Sequence, residues 1–61
     1  MNIKIARIKK GLTQKELREL VKIAPKTLIN IERGNFNNVT YSQMLRFSKA
    51  LETSVQELFF T

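Results

Sequence analysis

The sequence predicts an all-α domain of five short helices, and three observations carry the prediction. Three capping boxes, each a Ser or Thr followed three residues later by Glu or Gln, stand directly before apolar runs at helical spacing: Thr13–Glu16, Thr40–Gln43 and Ser54–Glu57. Both glycines sit where helices should stop, Gly11 after Lys9 and Lys10, and Gly34 after Arg33, with cations in the last turn as the helix dipole prefers. Pro25, which would break a long helix, fits instead at the start of one, where its missing N–H has no helical partner to lose.

Taken in order, the first helix covers residues 2–10 and ends at Gly11. Thr13 opens the second, over 14–21, with Leu17, Leu20 and Val21 as its inner stripe. Lys22-Ile23-Ala24 is a short connection, and Pro25 drives Ala24 out of helical geometry as it begins the third helix, over 25–33. The Asn-rich segment Asn35–Val39 reads as a loop. Thr40 opens the fourth helix, over 41–51, with Tyr41, Met44, Leu45 and Leu51 inward and Phe47 on its flank. Ser54 opens the fifth, over 55–60, where Val55, Leu58 and Phe59 share the face that closes the core. Phe60 lies about 100° from Phe59 and about 140° from Val55, off that face. No repeat, linker or low-complexity tract interrupts the chain, so residues 1–61 are expected to form a single domain.

Composition narrows the function. The chain has no Cys, no His and no Asp, which rules out disulfides and the usual soft-metal sites. Acid–base chemistry would fall to five Glu without a thiol or imidazole beside them, so an enzyme is not expected, and neither a cofactor nor a metal. No apolar run approaches the ~20 residues of a membrane span, and a cytoplasmic location is expected. Charge is unevenly placed. Residues 1–33 carry nine Lys/Arg against three Glu, a net of +6, whereas residues 34–61 carry two of each sign. Either an anionic partner docks on the first half or that half is simply a solvated basic surface. A membrane surface would want one long basic amphipathic face, and this half is cut into short pieces.

Two helices joined by about three residues in a basic half-chain suggest a helix-turn-helix unit. At 100° per residue, Leu28, Ile31 and Glu32 of the third helix fall on one side, and Lys26, Ile29, Asn30 and Arg33 on the other. Pro25 lies at the edge and Thr27 on the opposite flank. The outward set suits a major groove: Lys donates to guanine O6/N7, Asn pairs bidentately with adenine, and Ile meets a thymine methyl. The same set also suits an ordinary solvated helix.

The segment GLTQKELRELVKIAPKTLINIERG, residues 11–34, resembles the helix-turn-helix of the Cro and lambda-type phage repressors, the XRE group of DNA-binding proteins. The marks are Gly11-Leu12-Thr13-Gln14, Leu17, Ile23, Leu28 and the closing Ile31-Glu32-Arg33-Gly34. The match continues through Ser48-Lys49-Ala50-Leu51 and from Ser54 to Leu58, so it spans nearly the whole chain. The resemblance implies a compact five-helix lambda-repressor-like fold with the motif at about 14–33, acting on double-stranded DNA. It implies that Gln14 clamps a phosphate, and that Pro25, Lys26 and Asn30 read base edges with Thr27 and Ile29 contributing less. It also implies that Arg33 and the loop residues Asn35, Asn37 and Asn38 contact phosphates. Glu32 points inward and needs a partner. The resemblance supplies Arg7, on the first helix, as a structural ion pair.

Several positions depart from the family pattern. Arg18 stands where a small alanine is usual, Lys22 where the turn glycine is usual, and Ala24 where a serine caps the recognition helix. Lys22 must accept a left-handed backbone or reshape the turn. Pro25 replaces a polar reader and offers only apolar contact, which shifts reading toward Lys26, Asn30 and Ile29. Lys9 and Lys10 read as surface partners of the helix dipole, with phosphate contact as the lesser alternative. The expected function is a sequence-specific transcription regulator, a repressor acting as a homodimer by operator occupancy, with Phe60 as the candidate dimer contact and no small-molecule effector evident. The alternative is an antitoxin or accessory protein-interaction module of the same fold, which would be expected to bring a further segment to embrace its partner.

Overall fold

The computed structural model describes residues 2–60; Met1 and Thr61, the ends of the expected 1–61 span, lie outside the described residues. Among those residues there are five helices and no strand: α1 (Ile3–Lys9), α2 (Gln14–Val21), α3 (Pro25–Glu32), α4 (Tyr41–Leu51) and α5 (Val55–Phe59). Each boundary falls within a residue of its expected place, and the caps explain the differences. Asn2 precedes α1 rather than joining it, in extended backbone, with its Oδ1 accepting from Ile5 N at 2.8 Å. Arg33 and Phe60 likewise act as terminal caps of α3 and α5.

The capping chemistry is largely as the sequence implies. Thr13 and Glu16 bond reciprocally at 3.0 and 2.9 Å, and Thr40 and Gln43 do so at 3.1 Å each. At α5 the Ser54 hydroxyl accepts from Glu57 N and donates to Glu57 Oε1, both at 3.1 Å. Pro25 occupies the first turn of α3, behind an extended Ala24 that makes no side-chain cap bond. Gly11 and Gly34 both turn left-handed, with φ of 71° and 93°, and end their helices as expected.

The core draws two residues from every helix: Ile3 and Ala6, Leu17 and Val21, Leu28 and Ile31, Phe47 and Leu51, Leu58 and Phe59. Phe59 meets Phe36 and Phe47 edge-to-face, with centroids 5.0 and 5.8 Å away. Such ring pairs add roughly 0.5–1.5 kcal/mol each beyond the area they bury. Phe36 and Val39 thus anchor the Asn-rich loop to the core.

Two expected stripes are corrected. On α4, Phe47 is fully buried while Tyr41 and Leu45 are 67% and 48% exposed. The apolar arc of α4 is wide enough to be centred on either side, and Phe59, itself packed on Phe36, turns it toward Phe47. On α2, Leu20 is 55% exposed. It lies about 60° around the helix from Leu17 and about 100° from Val21, at the edge of their face, where it borders Arg46, Lys49 and Ala50 of α4 without being covered by them.

Candidate nucleic-acid interface

The site is assembled by the joint between α2 and α3. Lys22 takes the left-handed backbone, φ 64° and ψ 52°, instead of reshaping the turn. Its N–H and that of Ile23 both reach the Arg18 carbonyl, closing α2 in the pattern a glycine would normally serve. A non-glycine residue there stores about 1–2 kcal/mol of strain. Beyond the turn, Leu17 and Val21 of α2 and Leu28 and Ile31 of α3 are all buried, which fixes the rotation of α3 about its own axis.

That rotation decides what α3 shows to solvent. Pro25, Lys26, Ile29 and Arg33 are exposed, and Thr27 and Asn30 are half-buried. The fold therefore brings an apolar first turn, a cation, a branched aliphatic chain and an amide onto the outer side of one short helix. These are the groups that meet base edges in a major groove. Asn35, Asn37 and Asn38 are exposed in the loop after α3, where Asn35 Oδ1 accepts from Asn37 N at 3.2 Å and Asn35 N donates to the Asn30 carbonyl at 3.0 Å. The second of these bonds ties the loop to the end of α3.

Behind this face lies a four-residue polar clamp. Arg7 Nε donates to Glu32 Oε2 at 2.7 Å, and its Nη1 donates to the Leu12 carbonyl at 2.9 Å. The two side chains are only 11% and 5% exposed. Gln14 Nε2 donates to the other carboxylate oxygen, Glu32 Oε1, at 3.0 Å. One guanidinium thus joins α1, the turn after it and the end of α3, and the same carboxylate orients the first side chain of α2. Gln14 Nε2 retains a second proton for an outside acceptor.

Sequence reasoning overlooked Lys4. It lines a cleft of about 180 Å³ with Gln14, Ile29, Glu32 and Arg33. Its signal was available, because Lys4 sits three residues before Arg7 on α1 and so shares its face. Two cations and an amide around one cleft form a donor set suited to phosphate oxygens. Elsewhere, Lys10 forms an ion pair with Glu52, and the bonded ammonium holds the Glu52 carboxyl below its ordinary range. Glu16 is also lowered, first by the Thr13 backbone N–H and then by its hydroxyl. Among the described residues no group of His, Cys, Asp and Glu could hold a metal ion. Phe60 is 65% exposed and stands apart from the clamp, at the end of α5.

A helix-turn-helix family model matches residues 3–58, all five helices from the first residue of α1 to the last turn of α5. No curated protein and no solved structure matches significantly.

Proposed function

Since the chain belongs to the Cro and lambda-repressor-like helix-turn-helix family, the XRE group, and is thereby of the DNA-binding transcription-regulator type, we propose that it is a homodimeric repressor acting by operator occupancy. The observation that carries the proposal is the outer face of α3, with Lys26, Ile29 and Arg33 exposed over a helix locked from behind by four buried aliphatic residues. Lys26 and Asn30 are the principal base readers, with Ile29, Thr27 and Pro25 supplying apolar and lesser polar contact. Gln14, Arg33, Asn35, Asn37 and Asn38 hold phosphates, and Lys4 joins them because it shares the cleft with Gln14 and Arg33.

One recognition helix covers few base pairs, and proteins of this kind present two, one helical turn of DNA apart. Phe60, exposed on the neutral half of the chain, is the proposed contact between protomers. The reading treats residues 1–61 as one domain working in the cytoplasm, with no catalytic step, cofactor or small-molecule effector. None of the described helices is long and apolar enough to cross a membrane.

The test is a selection of bound sites from random duplex DNA, followed by gel shifts of the selected site. With Lys4 and Arg33 of each protomer at phosphates, a dimer neutralises about four charges, so raising salt from about 50 to 200 mM should weaken binding roughly a hundredfold. No enriched sequence, or an affinity indifferent to salt, would refute the proposal.

A further inference from the structure

Residues 34–61 contain only two cations, Arg46 and Lys49, and both line the same cleft, far along α4 from its N-terminal cap. The cleft measures about 490 Å³ and is completed by Lys22, Leu20 and Ala50. Lys22 comes from the left-handed turn, whose backbone is fixed by its bond to Arg18. Arg46 Nη1 donates to the Val21 carbonyl at 3.4 Å, which anchors the guanidinium at the end of α2. No carboxylate lines this space. Glu52 is paired with Lys10, and Glu57 is bonded at the start of α5. The floor is aliphatic, because Leu20, which helical periodicity would have turned inward, is left more than half exposed here.

We propose that this cleft is a docking site for an acidic peptide segment of another protein, anchored by one aliphatic side chain on Leu20 and Ala50 and flanked by carboxylates on Lys22, Arg46 and Lys49. The composition selects this occupant over others. A DNA backbone has no group that gains from an exposed leucine. A second copy of the chain is poorly suited, because four of its five carboxylates, Glu16, Glu32, Glu52 and Glu57, are already bonded within the chain. A small ligand is normally enclosed over most of its surface, whereas most of the side chains lining this cleft stand in solvent. A peptide strand or helix crossing an open groove needs only an anchor and matched charges.

The test is a selection of random twelve-residue displayed peptides on the intact protein, in the presence of excess random duplex DNA to occupy basic surface elsewhere. The enriched peptides should carry Asp or Glu around a Leu, Ile or Met. Their affinity should fall tenfold or more on Leu20→Ser and on Lys49→Gln, two exposed substitutions whose folding is checked by thermal melting. Peptide affinity is the readout, so a failure of specific DNA binding would leave this result standing on its own. Neutral or basic enriched peptides, equal binding to both variants, or displacement by the duplex would each overturn the proposal.

Discussion

Replacing Arg7 with Met tests how the domain is held together at the point where its polar and apolar parts meet. The substitution keeps a chain of similar length but removes the guanidinium that bonds Glu32 at 2.7 Å and the Leu12 carbonyl at 2.9 Å. Stranding one partner of a buried ion pair costs about 3–5 kcal/mol. Two features reduce that figure here: Gln14 still donates to Glu32 Oε1, and neither side chain is sealed completely from water. The lost bond to the Leu12 carbonyl adds back about 1 kcal/mol. The expected loss is about 2–4 kcal/mol, comparable to the ~3–5 kcal/mol that a single core of this size supplies. At about 4–8 °C per kcal/mol, the melting temperature should drop by about 8 °C or more.

Circular dichroism melts and urea titrations of three variants separate the causes. Arg7→Met should be the least stable, and Arg7→Met with Glu32→Leu should recover a large part of the loss, because no buried charge is left without a partner. Glu32→Leu alone strands the arginine and should fall between them. An unchanged melting temperature for Arg7→Met, or a double variant whose loss equals the sum of the singles, would refute the reasoning.

Four further outcomes are expected. Asn30→Ala should weaken the selected DNA site by about 1–3 kcal/mol and relax preference at one or two positions, whereas Gln14→Ala should weaken specific and random duplexes alike; gel shifts on both sequences decide. Lys22→Gly should relieve the left-handed strain at φ 64° and, after the entropy gained by the unfolded chain, stabilise by about 0.5–1 kcal/mol in urea titration, and a loss of stability would contradict the strain argument. Glu52 and Glu16 both have lowered folded pKa values, so what they contribute is present above the ordinary 4.5 and is lost as pH falls through the folded values; melts from pH 6 down to about 2 should show this decline, less steeply in Glu52→Gln. Phe60→Ser should leave the melting temperature of the isolated protomer unchanged and lower dimer affinity, and sedimentation at micromolar concentration in which wild type is a monomer, or the variant stays fully dimeric, would remove Phe60 from the contact.

Helix positions were legible because their determinants are local. A capping hydroxyl, a glycine after a cationic turn or a first-turn proline acts within four residues of its place in the chain, so Thr13, Thr40, Gly11, Gly34 and Pro25 can be read without knowledge of the rest. The α4 helix ends equally sharply although no glycine follows it. Glu52 takes the left-handed cap at φ 51°, beside a cation, Lys10, that is forty-two residues away in sequence. Rotation about a helix axis is less legible where the apolar arc is wide. Tyr41, Met44, Leu45, Phe47 and Leu51 fit more than one inward direction, and the choice is made by Phe59 of α5, itself packed on Phe36 of the loop. Leu20 is a different case, since it lies at the edge of the α2 stripe, where Lys22, Arg46, Lys49 and Ala50 border it without covering it.

The clamp explains how a domain with so small a core can hold in one place the helix proposed to meet DNA. The rotation of α3 is set from below by Leu28 and Ile31, yet two buried aliphatic residues on an eight-residue helix leave its tilt free to vary. Arg7 removes that freedom by fixing Glu32, at the last turn of α3, to α1 and to the Leu12 carbonyl. Glu32 in turn orients Gln14, so the first side chain of α2 and the far end of the recognition helix share one anchor. The departures of Lys22 and Ala24 from the usual glycine and serine weaken the turn and the cap between these helices, and the clamp holds the same pair of helices from the opposite end. On the proposed reading, a variant that loosens the Arg7–Glu32 bond without unfolding the protein should therefore blur sequence preference before it lowers overall affinity, because base reading by α3 would depend on its placement to a fraction of an ångström while phosphate attraction acts over several ångströms.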